Sequence, residues 1–178
     1  SIQERMSFLN SNLVKEILKV SAIRDFPKGT EILRENQYVK VLPIVLEGLV
    51  KVFSRYEERE LLLYYIQPSQ SCVMSFSACL KNQPSRIFAM TEEKSRILLI
   101  PVEQIPDWLK SFPSFNDLFY QQYDLRYAEL LDTIRHVLFN KMDKRLHDYL
   151  IEKAKLTNQE FFKISHSQIA NELGTVRE

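Results

Sequence analysis

Ser165 and Gln168 stand three residues apart at the head of the tract SHSQIANELGTVRE. A serine hydroxyl there can accept a hydrogen bond from a free N–H of the first helical turn, while the glutamine amide reaches back to the cap. Ile169 and Leu173 then face inward, Ala170 leaves room for a close crossing, and Gly174 can take the left-handed turn that redirects a chain. The spacing from Ala170 to Gly174 suits a helix-turn-helix, although helical hairpins that read nothing share it. Elsewhere the chemistry-bearing side chains argue against catalysis. Cys72 and Cys79 have no histidine close in sequence and read as idle thiols, not zinc ligands. The two cysteines also leave an iron-sulfur cluster without ligands. His136, His147 and His166 all follow the strand-rich part of the chain, which therefore offers no histidine to hold haem or a metal, or to act as a base. Each reads as a surface or interhelical residue. With no Gly-rich phosphate loop and no nucleophile elbow, no catalytic and no metal-ligating residue is expected.

The elements that position this tract follow from composition and periodicity. At 178 residues and 45% hydrophobic, the chain can bury one substantial core and a smaller second one. Its 24 basic and 23 acidic side chains leave a formal charge of +1, so no global field captures polyanions and any nucleic-acid contact must be local. No apolar run approaches membrane-spanning length, and the start SIQERMSF lacks the basic and apolar regions of a signal peptide, which points to the cytoplasm and away from membranes.

Residues 22 to 100 alternate β-branched and aromatic runs (AIRDF, TEILRE, VLPIVLEGLVKVF, RELLLYYI, RIFAM, SRILLIP) with turn signals, and predict an antiparallel β-roll. Gly29 and Gly48 fall between such runs as turn glycines. Before them, Leu9, Leu13, Ile17 and Leu18 sit near helical spacing and predict a short helix beside the roll. After Phe112 the texture becomes helical, without Gly or Pro, over SFNDLFYQQYDLRYAELLDTIRHVLFN. There Tyr123, Tyr127, Leu130, Leu131, Ile134, Val137 and Leu138 draw one apolar stripe. A helix this long outruns the flank of a small domain, so the stripe predicts a homodimer with two copies side by side. KMDKRLHDYLIEKAK continues as a second helix, and LTNQEFFKI reads as a turn and a short strand.

In this order of roll, long helix, KRLHDYL helix, strand and SHSQIANELGTVRE, the chain resembles the Crp/Fnr superfamily of bacterial transcription regulators over essentially its whole length. The specific part is the last tract, similar to the family run Thr-x-x-[Glu/Gln]-Ile-Ala-x-x-x-Gly-x-x-Arg-Glu; the roll matches mainly through Gly29 and Gly48. The resemblance implies an α+β fold: a jelly-roll-like, cyclic-nucleotide-binding-like roll at 1–112, a dimerisation helix at 113–139, and the start of a winged helix-turn-helix at 140–178. It implies a homodimer on promoter or operator DNA, with RNA polymerase as a further partner. Ser165, Ser167, Gln168, Thr175, Arg177 and Glu178 are the DNA-binding positions it implies. Arg177 and Glu178 fall where the family reads bases; an arginine can pair with a guanine edge and a glutamate can accept from cytosine N4, while hydroxyls at the helix start contact phosphate. Family members run on through the rest of the recognition helix and a wing, so the native protein is expected to continue past Glu178.

The resemblance also places a ligand cassette at CVMSFSACLKNQPSRIFAM, with Met74, Ser75, Phe76, Ser85 and Arg86 as the implied ligand-binding positions. Cyclic-nucleotide-binding members carry Gly-Glu where Met74 and Ser75 stand, and an arginine where Ser85 stands. Arg86 lies one residue on, and in a strand that offset turns it to the opposite face. A methionine also blocks the close backbone approach that glycine permits. The departures argue against ordinary cAMP binding and leave another small-molecule effector, with no cofactor certain. Two alternatives stay open: a sensor or interaction module of the same architecture that reads no DNA, and a cupin-like enzyme, for which the roll lacks histidine ligands.

Overall fold

A computed structural model of the chain describes residues 6, 9–139, 141–159, 161 and 163–174. The elements run α1 (Ser11–Val20), β1 (Ala22–Phe26), β2 (Glu31–Leu33), β3 (Val41–Glu47), β4 (Val50–Tyr56), β5 (Arg59–Ile66), α2 (Val73–Lys81), β6 (Phe88–Thr91), β7 (Ser95–Pro101), a 3-10 turn, α3 (Ile105–Ser111), α4 (Pro113–Phe139), α5 (Met142–Thr157) and α6 (His166–Glu172). The strands form two antiparallel sheets, β1-β7-β3 and β2-β6-β4-β5. The predicted roll is therefore present.

The run SRILLIP shows why β7 is apolar from Ile97 to Pro101. Successive strand side chains point to opposite faces. Ile97 enters the core between the sheets with Val45, Val50, Val52 and Ile66, while Leu98 and Ile100 enter a second core under the helices with Leu42, Ile44 and Leu46. Both faces of this sheet are thus covered. The second core also takes Leu13 and Ile17 from α1, Trp108 from α3, and Phe115 and Phe119 from α4. Each large apolar side chain fully buried there stabilises by roughly 1.5–3 kcal/mol. Trp108 adds a polar tie, its indole N–H donating to Glu16 at 2.8 Å.

Gly48 turns β3 into β4 with φ +91°, and a Cβ there would lie 2.6 Å from the Lys94 carbonyl oxygen, so this reversal accepts only glycine. The predicted helix over Leu9 to Leu18 is α1, capped by the Asn10 side chain, which accepts from the N–H groups of Asn12 and Leu13. One expectation fails: the described residues of the LTNQEFFKI stretch beyond Thr157 form no strand. Asn158 takes a left-handed cap at φ 52° that ends α5.

Candidate effector cavity and reading-head junction

Between the sheets lies a cavity of about 390 Å³ lined by Ile32, Leu33, Val39, Val41, Pro43, Ile66, Cys72, Ser75, Ala89 and Leu99, with Gln37, Tyr38 and Lys40 at an exposed rim. Helix α2 forms one wall. The Cys72 Sγ caps it, accepting from the Ser75 N–H at 3.4 Å, and Tyr64 packs its hydroxyl 3.7 Å from the same sulfur. Burial pushes the Tyr64 phenol well above its ordinary value and Cys72 adds to the rise, so it stays neutral. Ser75 is 1% exposed, and its hydroxyl has no hydrogen-bond partner among the described residues.

The five cassette positions part company in three dimensions. Ser75 alone lines the cavity. Phe76, one residue on, is turned about 100° around the helix; it stacks on Phe119 of α4 with ring centroids 3.4 Å apart and belongs to the core under the helices. The cassette reading of Phe76 gives way to packing. Met74 is half-buried and shares a small outer depression of about 60 Å³ with Arg86. Ser85 is buried but spent locally, its hydroxyl donating to the Ile87 carbonyl at 2.9 Å and accepting from the Ile87 N–H at 3.2 Å. Arg86 is exposed, on the side away from the cavity. Backbone pairing of Ser85 with Asn36 and Gln37 at 2.8 Å holds that register, and the Arg86 guanidinium does not line the cavity.

Helix α4 joins the cavity wall to an unpartnered surface. Its first half is fastened to the roll: Phe119 on Phe76, Tyr123 donating to the Val73 carbonyl at 3.4 Å, Gln122 accepting from the Ser71 N–H, and Arg126 donating to Gln70 at 2.8 Å and lying 4.3 Å over the Tyr64 ring. Away from the roll, Tyr120, Tyr127, Leu130, Ile134 and Val137, with the part-exposed Tyr123 at the border of the roll, recur at alternating spacings of three and four, flanked by Leu131 and Leu138, all substantially exposed. That is the seam spacing of a left-handed coiled coil. Tyr120, 71% exposed, extends the stripe read from sequence by one step and was recoverable from the same periodicity.

At the far end, α5 and α6 dock on the outer face of β4 and β5 through a buried ionic cluster. Lys51 Nζ lies 3.6 Å from Glu60, 3.7 Å from Glu92 and 3.5 Å from Glu172; Lys153 Nζ lies 3.5 Å from Glu92 and 3.4 Å from Glu172. The hydroxyls of Tyr149 and Tyr65 both donate to Glu172 Oε2, the latter at 3.3 Å, and the Gln168 amide donates to its other oxygen at 3.0 Å. Burial alone would raise the Glu172 carboxyl, yet the Tyr149 bond, Lys153, Gln168 and Lys51 together hold it below the usual value. Burial first, and Glu172 after it, push both phenols far up, so they remain donors. Arg145 closes the junction by donating to the Leu173 carbonyl at 2.6 Å. No pattern marked this cluster in the sequence, where lone lysines and glutamates read as solvated.

Of the implied DNA-binding residues, Ser165 caps α6 as expected, accepting from the Gln168 N–H at 3.1 Å, and with Ser167 it is exposed. Gln168 does not reach back to the cap, because its amide is committed to Glu172. Thr175, Arg177 and Glu178 lie outside the described residues. His136 and His147, on α4 and α5, approach Asp148 at 3.8 and 3.3 Å, and neither lines the roll cavity. Among the described residues no helix is long and apolar enough to cross a membrane, and no group of three or more His, Cys, Asp and Glu is placed to hold a metal.

Residues 23–112 match the cyclic nucleotide-binding domain. No curated protein matches the sequence. Among solved structures, the chain is similar to a protein from Eubacterium rectale assigned to the Crp/Fnr family of transcriptional regulators, with TM-score 0.85 and 24% identity over 97% of this chain and 80% of that one. It is similar to the c-di-GMP-responsive global regulator CLP of Xanthomonas campestris, with TM-score 0.80 and 16% identity over 94% and 86%. A Crp/Fnr-family regulator from Thermus thermophilus gives TM-score 0.68 and 23% identity over 88% and 80%. All three are described as regulators. This chain belongs to the cyclic nucleotide-binding domain family, and it carries that family's roll within the fold of the Crp/Fnr regulators.

Proposed function

We propose that this chain is a cytoplasmic, DNA-binding transcription regulator that works as a homodimer through α4 and reads a small effector other than cAMP in its roll. The observation that carries the reading is the layout of α4. One end is stacked on the cavity wall through Phe119 and Phe76, and the rest presents an exposed apolar seam that a second copy would cover. Docked beyond it, α5 and α6 form the start of a reading head whose outward-facing residues include Ser165 and Ser167; Thr175, Arg177 and Glu178 would follow as the base-contacting part. An effector in the cavity moves such a system only by binding one arrangement of the two heads better than the other. Because α2 presents Ser75 to the cavity and Phe76 to α4, it is the element through which that difference is felt.

The test pairs sedimentation velocity with selection of bound duplexes from a random DNA pool, both on the full-length gene product. A dimer that enriches a two-fold symmetric site is expected. Ile134→Asp should weaken dimerisation by roughly a hundredfold, a charge being costly at a buried seam, and should abolish the enrichment. A monomer that enriches no sequence would overturn the reading.

A further inference from the structure

We infer that the roll cavity takes an uncharged, mostly apolar small molecule carrying one hydrogen-bonding group, which Ser75 Oγ engages. This rests on reading the roll as a sensor, and it deepens that reading by giving the chemistry of the effector. Three observations converge. The cavity, about 390 Å³, falls within the range of small-molecule sites. Its buried wall is Leu33, Val39, Ile66, Cys72 and Ala89, a lining that gains by excluding water from an apolar skeleton. Ser75, which lines that wall and is 1% exposed, carries a hydroxyl with no partner among the described residues. A buried polar group left unpaired is costly, and a ligand group that pairs with it recovers that cost.

Charge decides against an anion. Of the side chains lining the cavity only Lys40 is cationic, and it stands at the exposed rim. Arg86 points away, and Arg126 is committed to Glu129, Gln70 and the face of Tyr64. A phosphate placed beside Ser75 would lose its hydration with no cation to compensate, a far larger penalty than one hydroxyl could offset. A neutral phenol or alcohol on a fused-ring or alicyclic frame meets no such penalty. Its hydroxyl can donate to Ser75 Oγ or accept from it.

Three probes of one skeleton separate these cases in calorimetric titrations of the intact protein: 1-naphthol, naphthalene and 1-naphthyl phosphate, with cAMP alongside. Wild type should bind naphthol tightest and naphthalene about three to ten times more weakly, and should bind neither 1-naphthyl phosphate nor cAMP. Ser75→Ala should bring naphthol down to the naphthalene level and leave naphthalene unchanged. Ala89→Leu, which narrows the cavity with an apolar side chain, should weaken both. Tighter binding of either phosphate, a naphthol preference that survives Ser75→Ala, or binding of none of the four would each overturn the inference. The titrations involve no DNA. A protein that binds naphthol as described but enriches no DNA sequence keeps this inference and loses the regulator reading, while the reverse result does the opposite.

Discussion

Among the described residues the roll cavity leaves a buried hydroxyl of Ser75 unpaired, whereas the junction under α6 buries two lysines, Glu172 and two tyrosines that answer one another and the half-buried Glu60 and Glu92. The two sites lie on opposite faces of the same sheet: Val50 and Val52 of β4 face the core around the cavity, and Lys51 between them faces the junction. The difference is one of adaptability. An apolar cavity with one free polar group can accept a range of occupants and lose or gain stability with each. A network of charges satisfies its members in few geometries, because a displaced partner leaves a charge buried in a poor dielectric. The junction therefore holds α5 and α6 in one place, whereas the cavity tolerates change.

The sharpest way to break this comparison is to remove the keystone of the network. Glu172→Ala removes the carboxylate that Lys51 and Lys153 share at closest range, leaves Glu92 as the one carboxylate beside Lys153 among the described residues and takes the acceptor from Tyr65 and Tyr149, and should cost about 3–5 kcal/mol, read by urea unfolding. A loss under 1 kcal/mol would mean the junction is no more specific than a surface ion pair. Acid should act in the same direction with smaller amplitude. Since the folded carboxyl sits below its ordinary 4.5, its contribution is complete above that pH and is lost as pH falls through the lowered value. The stability gap between wild type and Glu172→Gln should accordingly close on acidification. Glu152, in the adjoining groove, has the opposite sign: burial, with Glu129 adding, raises it, so its charged form costs stability that falling pH relieves.

Next in size is the coupling within the network. Lys51→Met and Glu172→Leu should each destabilise, yet the double replacement should cost about 1–3 kcal/mol less than the sum of the two, since each change alone strands a charge that the other removes. A double-mutant cycle by chemical denaturation measures this directly. Strict additivity would show that the 3.5 Å separation of Lys51 and Glu172 has no energetic content.

These two sites were unequally legible in the sequence, for a physical reason. The roll, its turns at Gly29 and Gly48, the first helix and the long helix all follow from local periodicity, because burial on one face repeats every two or every three to four residues. The stripe from Tyr123 to Leu138 was readable on the same terms. The cassette was readable only as a string of positions, and a string cannot say that Ser75 and Phe76 point to opposite sides of a helix with the cavity on one side and α4 on the other. The junction left no local trace, since Lys51, Glu92, Lys153 and Glu172 come from four distant segments, each unremarkable alone. The same blindness produced the wrong expectation for Gln168, whose capping role was lost to a carboxylate that the spacing does not reveal. The LTNQEFFKI stretch erred differently: its aromatic pair suggested a strand, but propensity makes a strand only where pairing follows, and none of its described residues pairs with either sheet.

The smallest expected effect tests the other half of the comparison. Ser75→Ala deletes a buried polar side chain, just as Glu172→Ala does, but this hydroxyl has no partner to strand. The change removes an uncompensated desolvation cost and puts the best helix former into α2, and in the absence of any added ligand it should stabilise by about 1 kcal/mol. The Cys72 cap is untouched, because it accepts from the backbone N–H of residue 75 and not from the side chain. A raised unfolding midpoint with an unchanged denaturant slope would show that the cavity, unlike the junction, carries its polar group at the expense of stability. A loss of stability instead would mean that the hydroxyl is already satisfied, and the contrast between the two sites would then be one of size only.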